Sequence, residues 1–392
     1  MRQASVRALR PEDYANPHPV YVVWELTLRC DQACRHCGSR AGLSRRSELT
    51  TDEALDVVDQ LASMRVREVT LIGGESYLRA DWLAIARALH DRDVRVSVVT
   101  GGRAMTPERA RAAQQAGVRS ISVSIDGLAA THDALRAVPN GHAGALRALD
   151  AIRDAGVLPT VNTQINTQNR NELEGMARMI AARGARAWQL QLTTPMGRAA
   201  DQSELVLQPW QLLDVIPRLA RIAAAYRPRG LDVTIANNLG YFGPHENDLR
   251  AGGHFIGCTA GKWSLGIQSD GVIKGCSSLP EGPFGDMSVR TARLADIVAR
   301  SAALEALRSH GTDELSGFCA SCYYASVCRG GCTWVAHTLL GRPGNMPYCY
   351  HRAETLRARG VRERVAPVSA APGTPFDRGE WEVVEEPWRS TK

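Results

Sequence analysis

Lysine is almost missing from this 392-residue chain: Lys262, Lys274 and Lys392 are all it has. The net charge of +6 therefore rests on arginine. Those arginines are scattered among Asp and Glu with no dense basic run, which argues against a nucleic-acid partner. No apolar run approaches the roughly 18 residues of a membrane-spanning helix. The N-terminus, MRQASVRALRPEDY, has no hydrophobic stretch of the secretory kind, so a cytoplasmic location is expected. In a reducing compartment, ten cysteines point to metal or redox work rather than disulfides. No long-period repeat is visible. A hydrophobic content of 44% with 22% charge indicates a globular chain, long enough for a barrel and a smaller unit.

From about residue 20 to 235, short β-branched runs alternate with helical stretches. The expected strands are Tyr21–Thr27, Glu68–Ile72, Arg95–Val99, Ser120–Ile125, Leu158–Thr163 and Ala187–Leu192. Thr50-Thr51-Asp52-Glu53 reads as a capping box. Thr106 and Pro107 are an N-cap and a first-turn proline, and Gly117, Gly156 and Gly184 end helices. Six β-α units imply an α/β fold with a parallel sheet, whether doubly wound or barrel-like. Ligands of such folds sit at the C-terminal ends of the strands. A helix between Gln208 and Tyr226 and a strand near Asp232–Ile235 follow. Residues 237–257 read as a linker, residues 258–352 as a second, Cys-rich region, and the tail from Ala366 as partly disordered.

Directly after the first strand stand Cys30, Cys34 and Cys37, a C-x3-C-x2-C frame. Three thiolates can hold three irons of a [4Fe–4S] cubane and leave the fourth open, whereas a structural cluster has four cysteines. Zinc, with His36 nearby, fits less well, because its sites prefer C-x2-C pairs. The frame resembles the signature of the radical S-adenosylmethionine (radical SAM) enzymes. Gly73-Gly74-Glu75 after the second strand is an ordinary βα turn taken alone, but here it is similar to that family's GGEP motif, with Ser76 in place of proline. The resemblance implies that Gly73, Gly74 and Glu75 hold the amino group of SAM. Ser122 to Gly127 resembles the family's Ser-x-Asp-Gly region, which implies Ser124 and Asp126 as contacts to the ribose and carboxylate of SAM. His132, Asp133 and Arg136, then Asn162, Gln164 and Asn166, and Gln189 and Gln191 are further polar candidates or satisfied core groups.

The other seven cysteines follow the pattern of the SPASM domain: Cys258, x12, Gly271, x4, Cys276, then Cys319-x2-Cys322-x5-Cys328-x3-Cys332, then Cys349. The likeness covers residues 20–352. It implies a partial (β/α)6 barrel over 20–236 after an N-terminal segment 1–19, a linker 237–257, a SPASM domain 258–352 and a C-terminal helix and tail 353–392. It also implies three [4Fe–4S] clusters. One binds SAM at Cys30, Cys34 and Cys37. One auxiliary cluster takes Cys319, Cys322, Cys328 and Cys349, and the other takes Cys258, Cys276 and Cys332, with Ser264 where relatives carry an eighth cysteine.

The activity so implied is reductive cleavage of SAM and removal of a hydrogen atom from a substrate, with the protein supplying orientation and exclusion of water. SPASM relatives mostly modify peptides, and Phe284-Gly285-Asp286-Met287 resembles a region of peptide maturases. The expected substrate is a ribosomally made precursor peptide that receives an intrapeptide crosslink. Expected partners are a reductant such as flavodoxin or ferredoxin and, unless the C-terminal tail binds the leader, a separate leader-recognition protein. Tyr323, Tyr324, Trp334 and Tyr348 are expected to pack. Rival readings are a sulfatase-maturing enzyme, a haem- or cofactor-biosynthetic enzyme, and a non-catalytic iron–sulfur electron carrier.

Overall fold

The computed structural model describes residues 7–250 and 253–388. The start of the N-terminal segment, positions 251–252 of the expected linker and the last four residues of the tail lie outside the described residues. Strands β1 (Tyr21–Thr27), β2 (Glu68–Gly73), β3 (Arg95–Thr100), β4 (Val118–Ser124), β5 (Leu158–Ile165) and β6 (Ala187–Leu192) pair in sequence order, all parallel. β7 (Asp232–Ile235) adds in parallel to β6. The Cys-rich region does not stand apart. Its β8 (Ser264–Ile267) lies parallel against β1, and β9 (Val272–Lys274) and β10 (Met287–Ser288) follow antiparallel. The ten-stranded sheet ends at β10 and β7 without closing. It is the expected α/β partial barrel, extended at β1 by the Cys-rich region.

The sequence explains the two faces. Alternate residues of β1 to β3, such as Val22, Trp24, Leu71 and Val98, are buried in one core with Val57, Leu61 and Ile85 of the outer helices Thr51–Ser63 and Trp82–His90. Thr50 opens the first of these as expected: its Oγ1 accepts from Glu53 N, and the Glu53 carboxylate accepts from Thr50 N. In β5 and β6 the outward residues are buried while the inward Thr160, Asn162, Gln164, Gln189 and Gln191 stay half-exposed. The alternation of period two leaves a polar, half-open lumen on that side.

Two expectations need correction. Residues 237–250 and 253–257 are not a plain linker. The Glu246 carboxylate ties them together by accepting from Phe242 N (2.8 Å) and Phe255 N (3.0 Å) and pairing with Arg250 (2.9 Å). The tail is not disordered over its described part. After the helix Tyr350–Ala358, β11 (Val361–Ser369) and β12 (Glu380–Pro387) form an antiparallel hairpin. Val365 and Trp381 are buried, and Arg352 grips Glu363 with two bonds of 2.7 and 2.6 Å. Such bidentate pairing fixes geometry as well as contributing energy.

Candidate active site

The three-cysteine loop leaves β1 at its C-terminal end, the ligand face of a parallel α/β sheet. Glu48 closes its base, accepting from Thr27 Oγ1, Leu28 N and Arg45 N at 3.0 to 3.1 Å. Cys30 N donates to Gly42 O across the loop at 3.0 Å. From the end of β6, Arg198 reaches in: its Nε donates to Cys34 O (2.7 Å), its Nη1 to Ala41 O (2.9 Å) and its backbone N to Cys37 O (2.9 Å). Gly197 permits this approach, since a Cβ there would lie 2.4 Å from Gly38 O and its φ is +59°. Sequence reasoning passed over Gly197 and Arg198, because a Gly-Arg pair after a strand carries no pattern of its own.

Gly73 and Gly74 meet protein. A Cβ on Gly73 would fall 2.2 Å from Thr27 O, and one on Gly74 2.1 Å from Arg29 O. Gly74 N and Glu75 N donate to those two carbonyls at 2.9 and 2.8 Å. The glycines thus bring the end of β2 against the chain leading to Cys30. Glu75 follows, 2% exposed. Its carboxylate accepts from Thr100 Oγ1 (2.6 Å) and Gly101 N (2.5 Å). Burial raises its pKa to about 7 against those two bonds. Among the described residues no cation pairs with it, so it keeps acceptor capacity for an ammonium group.

Asp126 is fully buried, and its carboxylate is engaged by protein. His36 Nε2 lies 3.0 Å away, Arg136 Nε donates at 2.7 Å and Gln164 N at 2.8 Å. Burial alone would raise this carboxyl, but Arg136 and His36 outweigh it and hold it far below the ordinary range. Arg136 in turn reaches Cys34 Sγ at 3.6 Å. Asp126 therefore ties the end of β4 to the cysteine loop. His132 accepts from Asp126 N at 3.2 Å, and Asp133 accepts from His142 N at 2.7 Å, at the start of a helix. Asn166 is buried in a turn with Asn169. Ser124, Asn162, Gln164, Gln189 and Gln191 face the half-open lumen, and Ser122 Oγ is buried there without a partner among the described residues. Phe284-Gly285-Asp286-Met287 makes a tight turn: Gly275 N donates to Phe284 O, and a Cβ on Gly285 would strike Ile273 O at 2.5 Å.

The thiols fall into three groups. Burial first, then Glu75 and the other two thiols, pushes Cys30 up to about 12. Cys319, Cys322, Cys328 and Cys349 line one cavity. Burial and the neighbouring thiols push Cys328 and Cys349 up to about 12. Burial, then Cys258 and Cys276, raises Cys332. Such thiols stay protonated until a metal displaces the proton. Among the described residues no three His, Cys, Asp or Glu side chains converge as ligands of a single ion. Trp334 packs near Gly38, beside Cys37, and its Nε1 points at Met196 Sδ (3.2 Å). Tyr348 is buried and donates to Leu207 O. Tyr323, expected to pack, is 88% exposed.

An open α/β barrel with a three-thiol loop and a buried, cation-free carboxylate at its strand ends defines a cofactor-dependent enzyme. Residues 24–180 match the Radical SAM superfamily. Its cofactors are S-adenosylmethionine and an iron–sulfur cluster. The chain is 28% identical to the AdoMet-dependent heme synthase of Nitratidesulfovibrio vulgaris, over 86% of this chain and 93% of that protein. It is 27% identical to the PqqA peptide cyclase of Ruegeria pomeroyi, over 83% of this chain and 86% of that one. Its fold is similar to that of Streptococcus suis SuiB in the crystal structure with precursor peptide SuiA. The TM-score is 0.67 at 14% identity, over 84% of this chain and 75% of that one. No described helix is long and apolar enough to cross a membrane.

Proposed function

We propose that this radical SAM enzyme removes a hydrogen atom from a ribosomally made peptide and installs an intrapeptide crosslink. The observation that carries the reading is the grouping of the ten thiols into three sets, one of them in the loop at the strand ends of a half-open polar barrel. Cys30, Cys34 and Cys37 would hold the SAM-binding cluster. Cys319, Cys322, Cys328 and Cys349 would hold one auxiliary cluster, and Cys258, Cys276 and Cys332 another with one position open. Bound together, the reduced cluster and SAM supply the one-electron chemistry that takes the hydrogen atom.

The chain's own residues bind and orient. Glu75 receives the methionine ammonium of SAM, and its raised pKa falls when that cation arrives. Ser124, Asn162 and Gln164 offer hydrogen bonds from the lumen wall. Asp126 positions His36 and Arg136, and Arg198 fixes the carbonyls of the cysteine loop. Positioning of this kind decides which hydrogen is taken. A flavodoxin- or ferredoxin-type reductant and a leader-recognition protein complete the proposed partners.

A second reading, modification of a haem-type macrocycle, is favoured by the likeness to the heme synthase. One experiment separates the two. Anaerobically reconstituted enzyme with dithionite and SAM is given either a short peptide encoded beside its gene or iron coproporphyrin III. Peptide-dependent 5′-deoxyadenosine and a peptide two hydrogens lighter are expected. Turnover with the porphyrin and none with the peptide would replace the first reading by the second.

A further inference from the structure

We infer that Lys274 anchors a carboxylate of the substrate, and that the ring of Phe376 covers this anchor until the substrate arrives. The inference rests on the radical SAM reading for its setting and on the following geometry for its content.

Lys274 ends β9, paired with Gly266 of β8, and Gly266 is paired with Val23 of β1. Neighbours in a sheet share a face, so Lys274 stands with Val23 and Glu25 on the side opposite the helix-packed Val22, Trp24 and Leu26. That is the lumen side. Cys276 lies two residues further on. Arg45, at the base of the three-cysteine loop, lies on the other flank.

Lys274 is only 1% exposed. An ammonium so deeply buried is costly unless a carboxylate pairs with it. Among the described residues none does. Nζ donates to Ser277 O at 3.1 Å and otherwise faces the Phe376 ring, 3.9 Å from its centroid. The carboxylates nearby gather on Arg45 instead: Glu25 at 2.9 Å, Glu281 at 3.7 Å and Asp270 at 3.9 Å. The aromatic face supplies part of what an anion would.

Phe376 is held there at some expense to its backbone. Its φ is +57°, a left-handed conformation unusual for a bulky residue. The next residue fastens it: Asp377 accepts from Gly373 N (2.5 Å) and Thr374 N (2.9 Å) and pairs with Arg40. Asp377 thus fixes the backbone of the hairpin tip, and it is the half-buried Phe376 side chain that would turn aside, by a change of rotamer, with the tip kept in place. With Phe376 displaced, Lys274 opens onto the lumen between two thiol groups. The ligand chemistry is a carboxylate, whether a peptide glutamate or C-terminus or a propionate of a porphyrin.

The scarcity of lysine makes the test direct. Reconstituted holoenzyme is treated with an amine-acylating reagent, and labelling of Lys274 is read by mass spectrometry with Lys262 as internal reference. Wild type should label slowly at Lys274, and Phe376→Ala about ten-fold faster or more. In Phe376→Ala, a glutamate-bearing pentapeptide or iron coproporphyrin III should restore protection, and its methyl ester should not. Whichever acid protects identifies the source of the carboxylate. Separately, Lys274→Met should bind that acid about ten-fold or more weaker, as loss of a charge-assisted hydrogen bond predicts, and Lys274→Arg should recover part of it. Equal protection by acid and ester, protection by neither acid, or undiminished binding by Lys274→Met would each overturn the inference. Failure of SAM cleavage in a parallel assay would instead overturn the radical reading and leave the labelling result standing.

Discussion

Arg40 Nε donates to Asp377 Oδ1 across 3.0 Å, joining the three-cysteine loop to a hairpin tip 337 residues later in the chain. Arg40 also binds Gly197 O (2.8 Å) and Asp201, and Gly197 N donates to Asp377 O (2.8 Å). Loop, strand-six end and C-terminal hairpin thus share one buried charge. The hairpin is a third wall of the cofactor loop.

Removing that carboxylate should loosen the loop. Asp377→Ala leaves Arg40 with the Gly197 carbonyl and with Asp201, a carboxylate that is well exposed to solvent. We expect a loss of about 1–3 kcal/mol in unfolding free energy, measured by urea titration, with less iron bound at Cys30, Cys34 and Cys37. Unchanged stability and iron content would mean that the hairpin only decorates the barrel.

The glycines before Glu75 make a sharper steric prediction. Gly74→Ala would drive a Cβ to 2.1 Å from Arg29 O, a backbone atom that cannot yield without moving Cys30. Overpacking of this kind costs about 1–3 kcal/mol, and the reconstituted protein should bind fewer irons. Gly42→Ala, in the same loop but with nothing within 4 Å of the added atom, should load iron normally. If both variants load alike, the close packing of β2 on the cysteine loop does not matter.

How much of this was legible beforehand depended on whether a residue's role left a pattern. The strands announced themselves through β-branched runs, and Thr50, Glu53 and Thr106 through capping chemistry. The cysteines were legible because their spacing within each short run is local. Asp126 showed in the sequence as a motif member, yet its actual partners His36 and Arg136 come from two other segments, which only the folded chain brings together. The hairpin was missed for a related reason. Pro, Gly and charge between Ala366 and Gly379 resemble disorder. What orders the segment is distant: Gln208 pairs both ways with the Val365 backbone, and Arg352 holds Glu363. Lys274, an unremarkable strand residue in the sequence, acquires its meaning only from Phe376.

The helix Thr333–Leu340, which packs against that hairpin, should respond to acid. His337 is lowered to about 4, first by burial and then by Arg378, against its bond to Gly341 O. A histidine depressed in the folded state contributes full stability above its unfolded pKa near 6.5, and that stability is lost as pH falls toward 4. His337 is partly exposed, so we expect about 1–2 kcal/mol rather than the full shift. Arg378, which donates to Thr338 O and Gly379 O, would be pushed away from the protonated ring. The melting temperature of wild type should therefore fall more steeply between pH 6.5 and 4 than that of His337→Gln. Parallel curves would assign the acid response to other groups.

Glu75 offers the most direct test of the cofactor pocket. Its carboxylate sits between Thr100 Oγ1 and Gly101 N and is otherwise sealed from water. Glu75→Gln keeps the volume and one acceptor. The new amide can donate to Thr100 Oγ1, a hydroxyl free to turn, so the fold should survive. What disappears is the negative charge, and with it the charge-assisted bond to an incoming ammonium, about 1.5–3 kcal/mol. SAM affinity should therefore fall about ten- to a hundred-fold, read by equilibrium dialysis on the reconstituted protein, while iron content and melting temperature stay near wild type. A variant that binds SAM as tightly as wild type would remove Glu75 from the pocket. The ammonium would then need another acceptor, and among the described residues the half-exposed Ser124, Asn162 and Gln164 are neutral, so none could replace the charge.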